Sequence, residues 1–198
     1  MIVALDPGHG GTSTGVVKGQ GADLLVEKDW VLRLGLILSS RLVHLPGIRT
    51  ALTRARDIDL GLNEAARIAR EADADLALCL HVNSFTDPVS RGLLAFHHPA
   101  GDWKAKDAAA VIASHAPLAL RRRHPQAAIA TTSYQAVRNV MEPFVERRIP
   151  CVLVECGFAS NNADRAYLTS QTGIHAVANA IEAGVIEFWR LSAAKHAP

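Results

Sequence analysis

The sequence predicts a single α/β domain spanning residues 1–198, with a mixed, mostly parallel twisted sheet flanked by helices. Two observations carry this. Short apolar, β-rich runs alternate with longer segments of helical periodicity, the pattern of a largely parallel sheet. The chain of 198 residues also contains no repeat, no low-complexity tract and no linker, and its 49% hydrophobic and 20% charged residues suit one sizeable core.

Residues 2–5, Ile-Val-Ala-Leu, read as the first strand and end in Asp6-Pro7. From residue 29 to 45, Trp30, Leu34, Leu38 and Leu42 recur at four-residue spacing, one apolar stripe on a helix that Pro46-Gly47 ends. Residues 48–53 are the second strand, 60–72 a helix, 76–82 the third strand and 92–96 the fourth. Helices follow over 105–120 and 133–147, then a strand over 151–155. A last helix over 171–189 places Ile174, Val177, Ile181, Val185 and Phe188 on its inner face.

A net charge of +2 is too mild for a nucleic-acid partner, and no Lys/Arg stripe is interleaved with aromatics. The basic run Arg121-Arg122-Arg123-His124 precedes Pro125 and reads as a solvated helix end. The three cysteines form no metal-type pair, and Cys79, inside an apolar strand, is expected to be a buried thiol. No apolar stretch reaches the roughly 18 residues of a membrane span, and no export signal precedes the first strand. Delivery by another system, or origin as the mature part of a longer exported protein, is expected.

In open α/β sheets function gathers beyond the carboxyl ends of strands. His9 lies there after the first strand, His81 at the end of the third and Glu155 at the end of the fifth. The glycines around His9 fit neither a P-loop nor a dinucleotide fingerprint. Gly11-Thr12-Ser13-Thr14-Gly15 has the letters of a nucleophile elbow but lies too far past the strand. A metal site is left, since two imidazoles and a carboxylate suit catalytic zinc. Glu27, opening the first long helix after a glycine-containing excursion, is a candidate for the carboxylate. Spacing alone does not fix these roles. Taken alone, Glu27 reads better as a helix N-terminal acid favoured by the dipole, and Glu155 as a salt-bridged strand-end carboxylate. His44 reads as a helix C-terminal residue, and His97-His98 as candidates to line a groove. Gly157 is expected to keep side-chain bulk away from the substrate.

Five segments, in order, resemble the zinc-dependent N-acetylmuramoyl-L-alanine amidases of the third amidase type. They are Asp6-Pro7-Gly8-His9-Gly10-Gly11, Glu27-Lys28, Leu52-Thr53-Arg54, the stretch from Cys79 to Ser84, and the stretch from Pro150 to Asn161. Departures are small: Ala65 and Arg70 stand where the family often has Arg and Asn, and Cys79 where Ser is usual. The resemblance implies a zinc-exopeptidase-like fold and one Zn2+ ion held by His9, Glu27 and His81. It implies Glu155 as the catalytic general base and acid toward a zinc-activated water. The implied substrate is peptidoglycan, cut between the lactyl group of N-acetylmuramic acid and L-alanine, so the place of action is the cell wall. Asn83 and Ser84 could orient a ligand or simply turn the chain. No autoinhibitory insert is expected between His81 and Glu155, and a monomer is favoured. A zinc hydrolase of small N-acyl amino acids or peptides, or a non-catalytic peptidoglycan-binding protein, are the alternatives.

Overall fold

The apolar run after Met1 forms β1 (Ile2–Pro7). In the computed structural model, which describes residues 1–122, 128–129 and 134–195, the chain then enters a small antiparallel hairpin, β2 (Val17–Lys18) and β3 (Leu25–Val26). That hairpin leads directly into α1 (Glu27–Leu42). The order continues β4 (Arg49–Leu52), α2 (Leu62–Glu71), β5 (Leu76–Asn83), β6 (Leu94–His97) and α3 (Trp103–Ser114). It ends β7 (Ala128–Ile129), α4 (Gln135–Glu146), β8 (Cys151–Phe158), α5 (Asn162–Thr169) and α6 (Gln171–Lys195).

Six strands form one sheet in the order β4-β1-β5-β8-β6-β7. The first four in that order run parallel, β6 is antiparallel to β8, and β7 is parallel to β6. The expected mixed sheet is present. Because β1, β5 and β8 are parallel neighbours, the chain leaves all three at the same edge. His9, His81 and Glu155 are thereby brought to one place by topology.

Alternation along the strands sorts side chains onto two faces. Val3, Leu5, Leu76, Leu78, Leu80, Val152 and Val154 join the larger apolar cluster with α1, α3 and α6. Ala4, Ala77, Cys79, Phe96, Cys151 and Leu153 point the other way, into a smaller cluster with α2 and α4. Leu34, Leu38 and Leu42 of the sequence stripe are fully buried, each worth roughly 1.5–3 kcal/mol of apolar burial. Cys79 is fully buried, as expected. No helix among the described residues is long and apolar enough to cross a membrane.

Several features differ from expectation, among them two helices and one glycine. The helix expected over 105–120 stops at Ser114 and resumes only as a 3-10 turn at Leu118–Leu120. Pro117 explains this, since it lacks an N–H and disfavours helical geometry at the residue before it. The short helix α5 was not anticipated from periodicity; Asn161 caps it, its side chain accepting from the N–H groups of Ala163 and Asp164 at 3.1 Å each. Gly157 does not face the site. A Cβ there would meet Leu168 at 3.1 Å and Leu120 at 3.3 Å, and its φ of 152° is a glycine conformation, so packing and backbone geometry require it. Ser133, the expected start of the fourth helix, lies outside the described residues, as do Arg123 and His124 of the basic run.

Candidate metal centre

The site begins where β1 runs out. Gly8 donates its N–H to the Leu80 carbonyl at 3.0 Å, which draws the loop against β5. A Cβ at Gly8 would lie 2.3 Å from the His81 ring, so only glycine lets the two segments approach this closely. His9 follows in the left-handed region, with φ 62°. Its Nδ1 pairs with Ser13 Oγ at 3.0 Å, which turns Nε2 toward Glu27 at 3.3 Å.

Glu27 is the first residue of α1 and is 2% exposed. One carboxylate oxygen accepts the Val16 N–H at 2.8 Å, and the other accepts the Val82 N–H at 2.9 Å. The second oxygen also lies 3.0 Å from His81 Nδ1. Strand, hairpin and helix thus fix this carboxylate through backbone donors. Burial by itself raises its pKa. Hydrogen bonds with His81 and His9, the charge of His81 and the Val16 N–H outweigh burial and hold it well below the usual carboxylate range. His81 responds in the opposite sense. Burial lowers its pKa, but the Glu27 hydrogen bond and the charges of Glu155, Glu27 and Asp6 carry it above the ordinary imidazole value.

His9, Glu27 and His81 each offer a ligand atom within 4.8 Å of the others, and the two imidazole rings stand edge to face with centroids 5.1 Å apart. The donor set fits a divalent ion such as zinc, being two neutral nitrogens and one anionic oxygen. Ser13 supports it from behind by orienting His9.

Glu155 is the register neighbour of His81, on the same sheet face. It is 8% exposed, and its Oε2 has no hydrogen-bond partner among the described residues. Burial raises its pKa, the charge of His81 opposes this, and Glu27 adds to it, leaving the carboxyl pushed up to about 7. The ordinary value is 4.5, so the folded metal-free protein holds a proton here that the unfolded chain has lost between about pH 4.5 and 7. Stability therefore falls as pH rises through that window, and above it the whole cost, about 3 kcal/mol, is present. Glu155→Gln removes the charge. The metal-free variant is expected to melt several degrees above wild type at pH 8, with the gap closing toward pH 4. Equal melting temperatures at pH 8 would contradict this account of Glu155.

A cavity of about 330 Å³ opens beside the cluster, with Asp6, His9, Asp59, Leu60, His81 and Val140 in its lining. The structure thus brings together the three residues expected to hold metal and sets Glu155 beside one of them. Other expectations fall elsewhere. His97 and His98 are buried near the opposite end of the sheet, because β6 runs antiparallel to β8 and His97 pairs with Val152. His44 is exposed, just past the C-cap at Val43. Asn83 contributes a backbone carbonyl to the Ala159 N–H at 2.7 Å. Sequence reasoning gave no role to the segment after β4, where Arg54, Asp57 and Asp59 all grip the glycine loop. The only available signal was the Leu52-Thr53-Arg54 match.

Fold and site together define an α/β domain whose parallel sheet edge carries a His/Glu/His cluster beside a buried carboxylate. The chain belongs to the family of N-acetylmuramoyl-L-alanine amidases of the third amidase type, whose model matches residues 3–187. It is 26% identical over 230 residues to the probable amidase AmiB of Haemophilus influenzae, covering 95% of this chain and 52% of that protein. It is 28% identical over 189 residues to the amidase LytC of Bacillus subtilis, covering 95% of this chain and 35% of that one. Among solved structures, the catalytic domain of CwlV, an amidase of Bacillus (Paenibacillus) polymyxa var. colistinus, superposes with a TM-score of 0.79. The two are 26% identical, over 96% of this chain and 98% of that one. The chain spans about half or less of the length of the two curated relatives.

Proposed function

We propose that the domain hydrolyses the amide between the lactyl group of N-acetylmuramic acid and L-alanine in peptidoglycan. His9, Glu27 and His81 hold one zinc ion in this reading, and Glu155 moves the proton. The observation that carries it is the convergence of two imidazoles and a carboxylate within 4.8 Å beside an unpartnered buried carboxyl. It is supported by the family's description.

Amide hydrolysis needs a polarised carbonyl, a nucleophile active near neutral pH and a proton for the departing amine. Zinc, when bound, supplies the Lewis acid that polarises the carbonyl and acidifies water. Glu155 supplies the rest. Its free Oε2 accepts a proton from the attacking water and returns it to the leaving nitrogen. Burial raises its affinity for that proton above that of an ordinary carboxylate, the direction a proton shuttle needs. Ser13, Val16 and Val82 keep the ligand side chains in place while this happens. The cavity next to His9 and His81 gives the scissile bond its approach.

The described part of the span between His81 and Glu155 is built into the sheet as β6 and β7, or packed on it as α3 and α4. This supports a site open without an activating partner, acting at the cell wall. Digestion of purified peptidoglycan, followed by mass spectrometry of the soluble fraction, tests the reading. Free peptides with a new L-alanine amino terminus are expected, lost on chelation and restored by zinc. Wall left intact under zinc-replete conditions overturns it.

A further inference from the structure

The segment that follows β4 touches both the loop that carries His9 and the start of α1, and one side chain does most of this. Arg54 is 2% exposed, yet none of its recorded hydrogen bonds among the described residues goes to a carboxylate. Its hydrogen bonds go to backbone carbonyls instead. Nε donates to Pro7 at 2.8 Å, and Nη2 donates both to Gly8 and to Lys28, each at 2.9 Å. Nη1 donates to Arg56 at 3.3 Å. Pro7 and Gly8 immediately precede His9, and Lys28 immediately follows Glu27. A single planar group therefore spans the loop that carries one proposed ligand and the helix start that carries another.

Neighbouring contacts reinforce the clamp. Asp57 accepts from the Gly11 N–H at 2.7 Å and from Lys28 Nζ at 2.6 Å, and the same Nζ donates to the Gly11 carbonyl at 2.8 Å. Thr53 Oγ1 donates to Asp6 at 2.6 Å. None of Thr53, Arg54 and Asp57 is among the three residues whose ligand atoms converge. Arg54, Asp57 and Lys28 act on the backbone of the loop, and Thr53 on the Asp6 side chain.

We propose that Arg54 is a positioning residue that sets the separation of His9 from Glu27 and thereby the zinc affinity of the centre. The inference rests on the reading of His9, Glu27 and His81 as metal ligands. A guanidinium suits this place because its donors lie in one rigid plane at fixed angles: Nη2 bridges Gly8 and Lys28, while the Nε bond to Pro7 fixes the plane against the loop. Lysine keeps the charge and much of the stem, but its one ammonium can at most replace the Nη2 bridge and lacks the Nε bond to Pro7 that sets the angle of that bridge. Changes in groups that orient metal ligands typically cost about 10–100-fold in affinity.

The test is zinc affinity by competition with a chromophoric chelator, alongside the melting temperature of the metal-free proteins. Arg54→Lys is expected to bind zinc about 10–100-fold more weakly than wild type. Arg54→Ala is expected to lose at least as much and to recover part of it when millimolar guanidinium is added. Zinc affinity within twofold of wild type in Arg54→Lys, with or without a lower melting temperature, makes the role structural only and overturns the proposal. If Arg54→Ala does not fold, Arg54→Lys decides alone. A wild-type protein that binds no zinc is a different result, since it removes the metal reading itself.

Discussion

Glu155→Gln is expected to slow peptidoglycan hydrolysis by about 100- to 10,000-fold, the range over which a positioned acid–base group contributes. The substitution is nearly isosteric. It keeps the side chain among the same neighbours on β8, between β5 and β6, and removes only the ability to take and return a proton. Glu155 is not among the three residues whose ligand atoms converge, so zinc content measured on the purified variant should match wild type. Loss of rate with retained metal is the signature of a proton carrier. A rate within a few-fold of wild type would remove Glu155 from the mechanism and return it to the role of a buried strand-end acid. The same variant is expected to gain stability without metal at pH 8, and its melting temperature measured beside the rate separates loss of chemistry from unfolding.

Glu27→Gln has the second large effect, and for a different reason. The carboxylate carries the only formal negative charge among the three converging ligands and is held ionised by His81, His9 and the Val16 N–H against the cost of burial. Glutamine keeps one oxygen for an N–H donor but presents an amide nitrogen to a second donor, so one of the Val16 and Val82 contacts is lost with the charge. Zinc affinity is expected to fall by more than about 100-fold, beyond the ~10–100-fold typical of groups behind the ligands. Activity should follow occupancy and recover as zinc is raised. Titration against a chelator checks this, and an unchanged affinity would exclude Glu27 as a ligand. Acid acts in the same direction. Because the folded pKa of Glu27 lies below its unfolded value, its contribution to stability is present above the ordinary carboxylate range and is lost as pH falls toward the folded value.

Much of this was legible in the sequence because it depends on local pattern. The strand cores and the Trp30, Leu34, Leu38 and Leu42 stripe follow from period alone, and parallel strands place His9, His81 and Glu155 together without further information. The arrival of Glu27 does not follow from period. It depends on a two-residue hairpin pairing, Val17 with Val26, and on the Val16 N–H reaching back to the carboxylate. Such long-range closure has no periodic trace, and only the family resemblance supplied it. The direction of β6 was equally hidden, since alternation reads the same both ways; its contact with β8 decides it and carries His97 and His98 away from the site. Arg54 was invisible for a third reason. Its partners are carbonyl oxygens, which every residue has, so no side-chain pairing in the sequence announces them.

The two apolar clusters divide the work of the sheet unequally. The strands that bear His9, His81 and Glu155 are anchored from beneath by the larger one, whereas Ala65 of α2 and Val140 of α4, which line the cavity, belong to or rest on the smaller. Opening a region costs less where it buries less. The α2–α4 side is therefore expected to open more readily than the strand side. On the proposed function the substrate is stiff, so admitting it would fall to the α2–α4 side, while the strand ends that carry His9, His81 and Glu155 keep their spacing. Access and precision are placed on opposite faces of one sheet.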